Sequence, residues 1–284
     1  MKIFFATFSI LLCLFFISCQ KEADFSNGNN VGNGGSNGGN SGGLLKKIVS
    51  KSGSDSSVLS FDFNSSQKLI TLSSTIVSNG SSAFFEQKVV RNSLGIIQKV
   101  IIKSDVYQQS GLDSVITNIQ YSGGKYISKV TNFDFIVLVA KDSVTLAYDG
   151  SGKIITEREF FDLGTGSYEE MAKREYTYSG NNIASIKSYA YDAGTSSYSL
   201  EQTYTYDQYD SKISPMSIGI DAFVFGSAPL YSANNPTKSS ISSPSSGTYN
   251  YTTTYTYNSS NKPINATSVI QPGNSTSSGT YYYQ

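Results

Sequence analysis

Histidine and tryptophan are absent from the 284 residues, cysteine occurs twice and proline six times, and the 21 basic residues are balanced by 21 acidic ones. Without histidine the chain lacks the commonest general base and the commonest zinc and copper ligand. No Gly-x-Ser-x-Gly elbow stands in for it, so a nucleophile, base and orienting partner cannot be assembled for ordinary acyl transfer. No acidic loop has EF-hand spacing either. Neither a cofactor nor a metal is therefore expected. The balanced charge leaves no basic footprint for nucleic acid.

The two cysteines fall early. Met1-Lys2-Ile3 opens a short apolar run that ends at Phe16-Ile17-Ser18-Cys19 and gives way to Gln20-Lys21-Glu22-Ala23-Asp24. One positive charge, an apolar core too short for a comfortable span, a small residue and a cysteine make up the layout of an export signal. This stretch resembles a bacterial lipoprotein signal. The resemblance implies cleavage after residue 18, lipid on Cys19 and an acidic tether of the kind that directs Bacteroidota lipoproteins to the cell surface. Phe16 departs from the aliphatic residue usual at that position. Cys13 follows Leu12 and belongs to the apolar core. With Cys19 lipidated no disulfide can form, so the fold must rest on packing and hydrogen bonds.

Residues 26–43 are eight Gly, six Asn, three Ser and the single apolar Val31, which cannot bury enough surface to offset the entropy of ordering. The chain thus divides into a signal over 1–18, a lipidated tether over 19–43 and one domain over 44–284. Membrane contact is expected only through the lipid, at the outer membrane on its surface or periplasmic side.

Within that domain a small pattern recurs about every 28 residues. Two large residues at i and i+2 are followed by Asp, Asn or Ser, a polar turn, and a basic residue or Asn before an aliphatic one. The copies are Phe61/Phe63, Val89/Arg91, Ile119/Tyr121, Leu146/Tyr148, Tyr176/Tyr178, Tyr204/Tyr206, Tyr255/Tyr257 and Tyr281/Tyr283. Period-2 bulk predicts strands with one buried face, so Tyr176, Tyr178, Tyr204 and Tyr206 should face inward and Thr177 and Thr205 outward. Asp149-Gly150-Ser151-Gly152 reads as a turn, with Asp capping its own backbone and Gly supplying positive φ. One repeat is then a hairpin and its connection. Eight of them predict an all-β antiparallel meander of about 14 to 16 strands, forming a wide, strongly curved sheet or open barrel.

Tyr148-Asp149 with Gly152-Lys153-Ile154, Tyr204-Thr205-Tyr206-Asp207 and Tyr176-Thr177-Tyr178-Ser179-Gly180-Asn181 resemble the YD or Rhs-type repeats of Bacteroidota lipoproteins. The resemblance extends from about residue 58 to 284 and implies an extended antiparallel sheet rather than an activity. Phe133 to Ala140 is apolar on both faces and reads as a middle strand covered on both sides.

One interval is nearly doubled. It holds Pro215, Pro229, Pro236 and Pro244 around Phe223-Val224-Phe225, and predicts an insertion over about 214–246 that packs on the sheet as a lid. Phe223-Val224-Phe225 would anchor it, leaving Tyr231, Asn234, Asn235 and Lys238 at the rim as candidate ligand-binding residues. Asp113-Ser114-Val115 and Asp142-Ser143-Val144 resemble a Bacteroidota O-glycosylation acceptor, making Ser114 and Ser143 candidate modification sites. The carboxylate pairs Glu157/Glu159 and Glu169/Glu170 could in principle serve a hydrolase, but residues at i and i+2 on a strand, as in Glu157/Glu159, simply share a solvated face. Three functions remain open: a non-catalytic envelope lipoprotein that binds a glycan, peptide or partner protein, a purely structural or adhesive envelope component, and a carboxylate-based hydrolase.

Overall fold

The structure, a computed structural model, describes residues 43–135, 138–226 and 228–284. Cys19, the signal and nearly all of the tether lie outside the described residues. Sixteen strands follow in chain order. The first eight are β1 (Leu45–Ser52), β2 (Asp55–Phe63), β3 (Leu69–Ser78), β4 (Ser81–Arg91), β5 (Ile97–Ser104), β6 (Val115–Ser122), β7 (Lys125–Phe135) and β8 (Leu138–Tyr148). The second eight are β9 (Ile154–Asp162), β10 (Glu169–Ser179), β11 (Asn182–Asp192), β12 (Ser197–Ile213), β13 (Asn234–Ser243), β14 (Gly247–Tyr257), β15 (Pro263–Gln271) and β16 (Ser275–Tyr283). One short helix, α1 (Asp105–Gln109), lies between β5 and β6, capped by Ser104, whose hydroxyl accepts from the Tyr107 amide.

Each strand pairs antiparallel with its sequence neighbours, and β1 pairs with β16, placing Ile48 opposite Tyr281. The all-β antiparallel meander expected from the sequence is thus present, and its curvature goes as far as closing it into a barrel. Closure removes both sheet edges.

The turns alternate between two ends. Those after β2, β4, β6, β8, β10, β12 and β14 lie at one end with both ends of the described chain, where the Gln284 amide donates to Leu44 O. We call this the near end, and the opposite one the far end. All eight copies of the repeat lie on the even-numbered strands, their large pair just before the near end. Four near-end turns are copies of one structure. Asn64, Asn92, Asp149 and Asn258 each accept, through Oδ1, the amides two and four residues on. The fourth residue of each turn, Gln67, Gly95, Gly152 or Asn261, has positive φ, which explains the Gly and Asn in the pattern.

Neighbouring repeats are stapled by a tyrosine of the large pair, the second residue in the copies of Tyr148, Tyr178 and Tyr283 and the first in that of Tyr255. The hydroxyls of Tyr148, Tyr178, Tyr255 and Tyr283 donate to the carbonyls of Tyr126, Ile154, Pro236 and Pro263, each near the start of the preceding strand. Arg91, the charged second residue of its copy, does the same work: its guanidinium donates to Leu69 O at 2.8 Å. In the bulged β12 the role falls to Tyr209, which donates to Ile183 O. The basic residue of the pattern covers the next staple, with Lys125, Lys153 and Lys262 over the rings of Tyr148, Tyr178 and Tyr283.

The barrel has an apolar inside and a polar outside. Leu72, Val89, Val100, Val144, Tyr176, Ile186, Tyr204 and Tyr281 are buried inward, and Tyr178 and Tyr206 pack against them. Outward-facing Lys88, Asn118, Gln120, Thr177, Lys187, Thr252, Thr254 and Thr256 are exposed. Each large inward side chain contributes about 1.5–3 kcal/mol. A circular barrel of this strand number would enclose water. Here even the small inward serines Ser74, Ser268 and Ser277 are only 2–3% exposed, so no water-wide channel passes them.

Two local expectations are corrected. Phe133 to Ala140 is not one strand, because β7 ends at Phe135 and β8 starts at Leu138, and Val139 is 46% exposed. The run is divided between two strands that pair with each other, Phe133 opposite Ala140. Glu157, expected on a solvated face, points inward and is buried.

Candidate functional site

The long connection between β12 and β13 closes the near end. Its irregular part is residues 214–233, since β13 already begins at Asn234. Two 3-10 turns, Gly219–Phe223 and Ala228–Tyr231, are held together by the Ile218 amide donating to Leu230 O. Phe223, Val224 and Phe225 are all buried in the barrel core, as the anchor reading requires. Asp221 fastens the cap to the wall, accepting from Arg91 at 2.7 Å and from the Tyr126 hydroxyl at 2.8 Å. A residual cavity of only about 10 Å³ remains between cap and wall, lined by Ile154, Tyr176, Tyr178, Ile183, Ala222, Phe223 and Tyr231.

The four residues placed at the lid's rim do not form one surface. Tyr231 packs edge-on against Tyr178 at 5.9 Å and lines that cavity. Asn234 exchanges hydrogen bonds with Asn182 and reaches Lys212 O. Asn235 is fully buried and donates to Asp210, which also accepts from the Tyr257 hydroxyl. Lys238 is exposed on the outer face of β13. The difference follows from the strand's early start, which turned loop candidates into ladder residues. Ser114 directly precedes β6, and Ser143 stands mid-strand on β8 opposite Val130 and Phe160.

Inside the barrel the carboxylates of β8 and β9 meet β10. Glu157 accepts from Arg174 at 2.7 Å and from the Tyr176 hydroxyl at 2.6 Å, with Glu159 3.8 Å from the same guanidinium. Burial alone would raise Glu157, but Arg174 and Lys129 outweigh it and hold the carboxyl below its usual range. Asp142 has no such partner: burial, and then the Glu159 charge, push it up to about 7. Its Oδ1 is shielded and makes no hydrogen bond. Paired in this way, Glu157 is held ionised by a cation, which is the arrangement of a structural ion pair.

The outer wall carries the feature that repeat reasoning missed. Next to the far end, β10, β11 and β12 bring Lys173, Tyr189, Tyr191, Tyr198 and Leu200 onto one outward face, with Tyr189 opposite Leu200 and Tyr191 opposite Tyr198. The Lys173 ammonium lies 4.7 Å from the Tyr189 ring centre and 4.3 Å from that of Tyr198. Tyr198 and Tyr191 are tilted together at 5.1 Å. The hydroxyls of Tyr189 and Tyr198 donate to Glu175 at 3.0 Å and Glu170 at 2.5 Å, and Lys173 pairs with Glu175 at 2.7 Å. Burial and the Glu170 bond push Tyr198 up to about 12, so it remains a protonated donor at neutral pH. Leu200, opposite Tyr189, is exposed. Elsewhere the wall mixes Ser, Thr and Lys with single exposed apolar residues such as Val90, Ile116 and Val269, whereas here the aromatic rings are clustered into a platform edged by carboxylates. The signal was present in Tyr189-Ala190-Tyr191 and Tyr198, but these belong to the returning half of the hairpin, outside the repeated pattern.

No protein-family model matches the chain, and no curated protein matches it. Solved structures do. A porin-like protein from Bacteroides vulgatus superposes with a TM-score of 0.52 at 15% identity, covering 85% of this chain and 99% of its own. A porin-like protein from Bacteroides uniformis gives 0.50 at 13% identity, covering 84% and 98%. At such identity the likeness is one of fold, a large antiparallel barrel.

Proposed function

We propose that the chain is a non-catalytic lipoprotein of the bacterial envelope, held at the outer membrane by lipid on Cys19, whose barrel stands in water and binds a glycan on the tyrosine platform. The platform is the observation that carries the binding reading. Tyrosine rings offer flat faces to the C–H faces of sugars, and Lys173, Glu170 and Glu175 are placed to exchange hydrogen bonds with hydroxyls. Support for a water-standing barrel comes from its sidedness. A membrane-spanning barrel shows lipid an apolar band about 25 Å tall, whereas on this wall exposed apolar residues such as Val90, Ile116 and Val269 are interspersed with exposed lysine, threonine and asparagine. The YD-like repeat is, on this reading, a way to build a stiff wall from stapled hairpins. Ser114 and Ser143 remain candidate O-glycosylation sites, to be checked by intact-mass measurement on protein from a native host.

A screen of envelope polysaccharides against the parent and a Tyr191→Ala/Tyr198→Ala variant tests the platform. Binding by the parent and loss by the folded variant is expected. Equal binding by both would remove the platform as the site. No binding by the parent would favour the structural role, with which the mutual hydrogen bonding of the platform's own groups also agrees.

A further inference from the structure

The near end is ringed by lysines. Lys68 Nζ donates to Gly95 O at 3.4 Å, Lys153 to Gly180 O at 2.5 Å, Lys212 to Asn261 Oδ1 at 2.7 Å and Lys262 to Gly43 O at 2.7 Å. Each ammonium thus links one near-end turn or strand end to the next, and its remaining protons stay at the rim. Lys46 and Lys125 lie at the same level, at the starts of β1 and β7. Among the described residues the acids open to solvent at that end are the exposed Asp62 and Asp207 and the half-buried Asp149. Arg91 and Asp221 neutralise each other, and Asp210 is taken up by Asn235 and Tyr257. The far end is opposite in sign, with Asp55, Asp105, Asp113, Asp134, Asp162 and Asp192 in or beside its turns.

We propose that the lysine collar docks the near end on an anionic phospholipid surface, standing the barrel with its far end and tyrosine platform away from the bilayer. The occupant follows from charge and from where the chain leaves the barrel. Gly43 emerges within the collar, bonded to Lys262, and the 25 residues from Cys19 to Gly43 reach about 25–30 Å as a Gly-rich coil. A lipid on Cys19 would hold the collar that close to headgroups, where clustered lysines gain from anionic charge within a Debye length. The inference deepens the lipid-anchored reading but makes a separate claim about orientation.

The lipidated full chain is incorporated into vesicles of phosphatidylcholine alone or with about a third phosphatidylglycerol, and its lysines are labelled with an amine-reactive reagent and quantified by mass spectrometry. We expect Lys68, Lys125, Lys153 and Lys212 to be labelled at least about fivefold more slowly on the anionic vesicles, with the difference lost in 1 M salt, where screening falls to about 3 Å. Lys51, Lys88 and Lys103 should label alike on both. Changing Lys68, Lys125 and Lys153 together to Gln should abolish protection of Lys212, whereas Lys51, Lys88 and Lys103 changed to Gln should leave it. Equal labelling of the collar on both vesicle types would overturn the docking. Failure to float with either would overturn the lipid anchor instead.

Discussion

The two ends of the barrel are built by different rules. At the near end one five-residue turn recurs, and each staple reaches back to the preceding repeat, so the end is a ring of interchangeable parts under a buried cap. At the far end no two connections need agree. One carries α1, another is the Asp162 loop, in which the carboxylate accepts the amides of Gly164, Thr165 and Gly166, and a third leads into the tyrosine platform. Repetition concentrates where the barrel must hold together, leaving the other end free to vary.

Substitutions can break this contrast. Tyr176→Ala removes a buried ring and the hydroxyl that serves Glu157, and should cost about 3–5 kcal/mol by urea unfolding. A Tyr176→Ala protein with an unchanged midpoint would show that the inward face does not carry the stability. Next in size is Asp221→Ala, which strands Arg91 and frees the Tyr126 hydroxyl. Breaking a largely buried pair should cost about 3 kcal/mol, with hydrogen exchange rising at Ile218 first, since its amide holds the cap's two turns together.

The interior acid should appear as a pH dependence. Asp142 has a folded pKa near 7 against an ordinary value of 3.8, so the folded state binds the proton more tightly than the unfolded state does. Its contribution is full below about pH 4 and is lost as pH rises toward 7. Glu157, lowered by Arg174, works in the other direction and loses its contribution only as pH falls below the ordinary carboxylate range. Stability should therefore decline from pH 5 to pH 7.5, and Asp142→Asn should flatten that decline. An unaltered profile in the variant would assign the slope to another group.

Smaller effects separate the ends more finely. Tyr178→Phe deletes one staple and should cost about 0.5–1.5 kcal/mol, while Tyr191→Ala on the outer platform should cost under about 1 kcal/mol. Should Tyr191→Ala prove the more damaging, the platform is a structural brace and the glycan reading weakens.

Much of this was legible because the repeat is a local signal. Alternation in Tyr176-Thr177-Tyr178 reports a half-buried strand from neighbouring residues alone, and Asp149 announces its turn within five. What escaped depended on partners far along the chain. Nothing near Glu157 shows that Arg174 will meet it inside the barrel, and nothing near Asn235 shows that Asp210 will bury it. The run from Phe133 to Ala140 misled because no Gly, Asn or Pro marks the place where β7 gives way to β8. The platform needs three strands in register, and Lys173, Tyr189 and Tyr198 stand in three different segments.

The pairing of β1 with β16 has a kinetic consequence. Every other strand finds its partner within one hairpin, but the seam requires the two ends of a domain of some 240 residues to meet. That step carries the greatest loop-closure entropy in the molecule and comes after the local pairings. Until it occurs the meander is an open ribbon with two unpaired edges, vulnerable to association with its own copies. Because the seam is otherwise an ordinary antiparallel pair, its place along the chain is arbitrary. A circular permutant joined between Gln284 and Gly43 and opened at the exposed far-end turn Asn79-Gly80 would move the slow step to β3 and β4 while leaving the finished barrel the same.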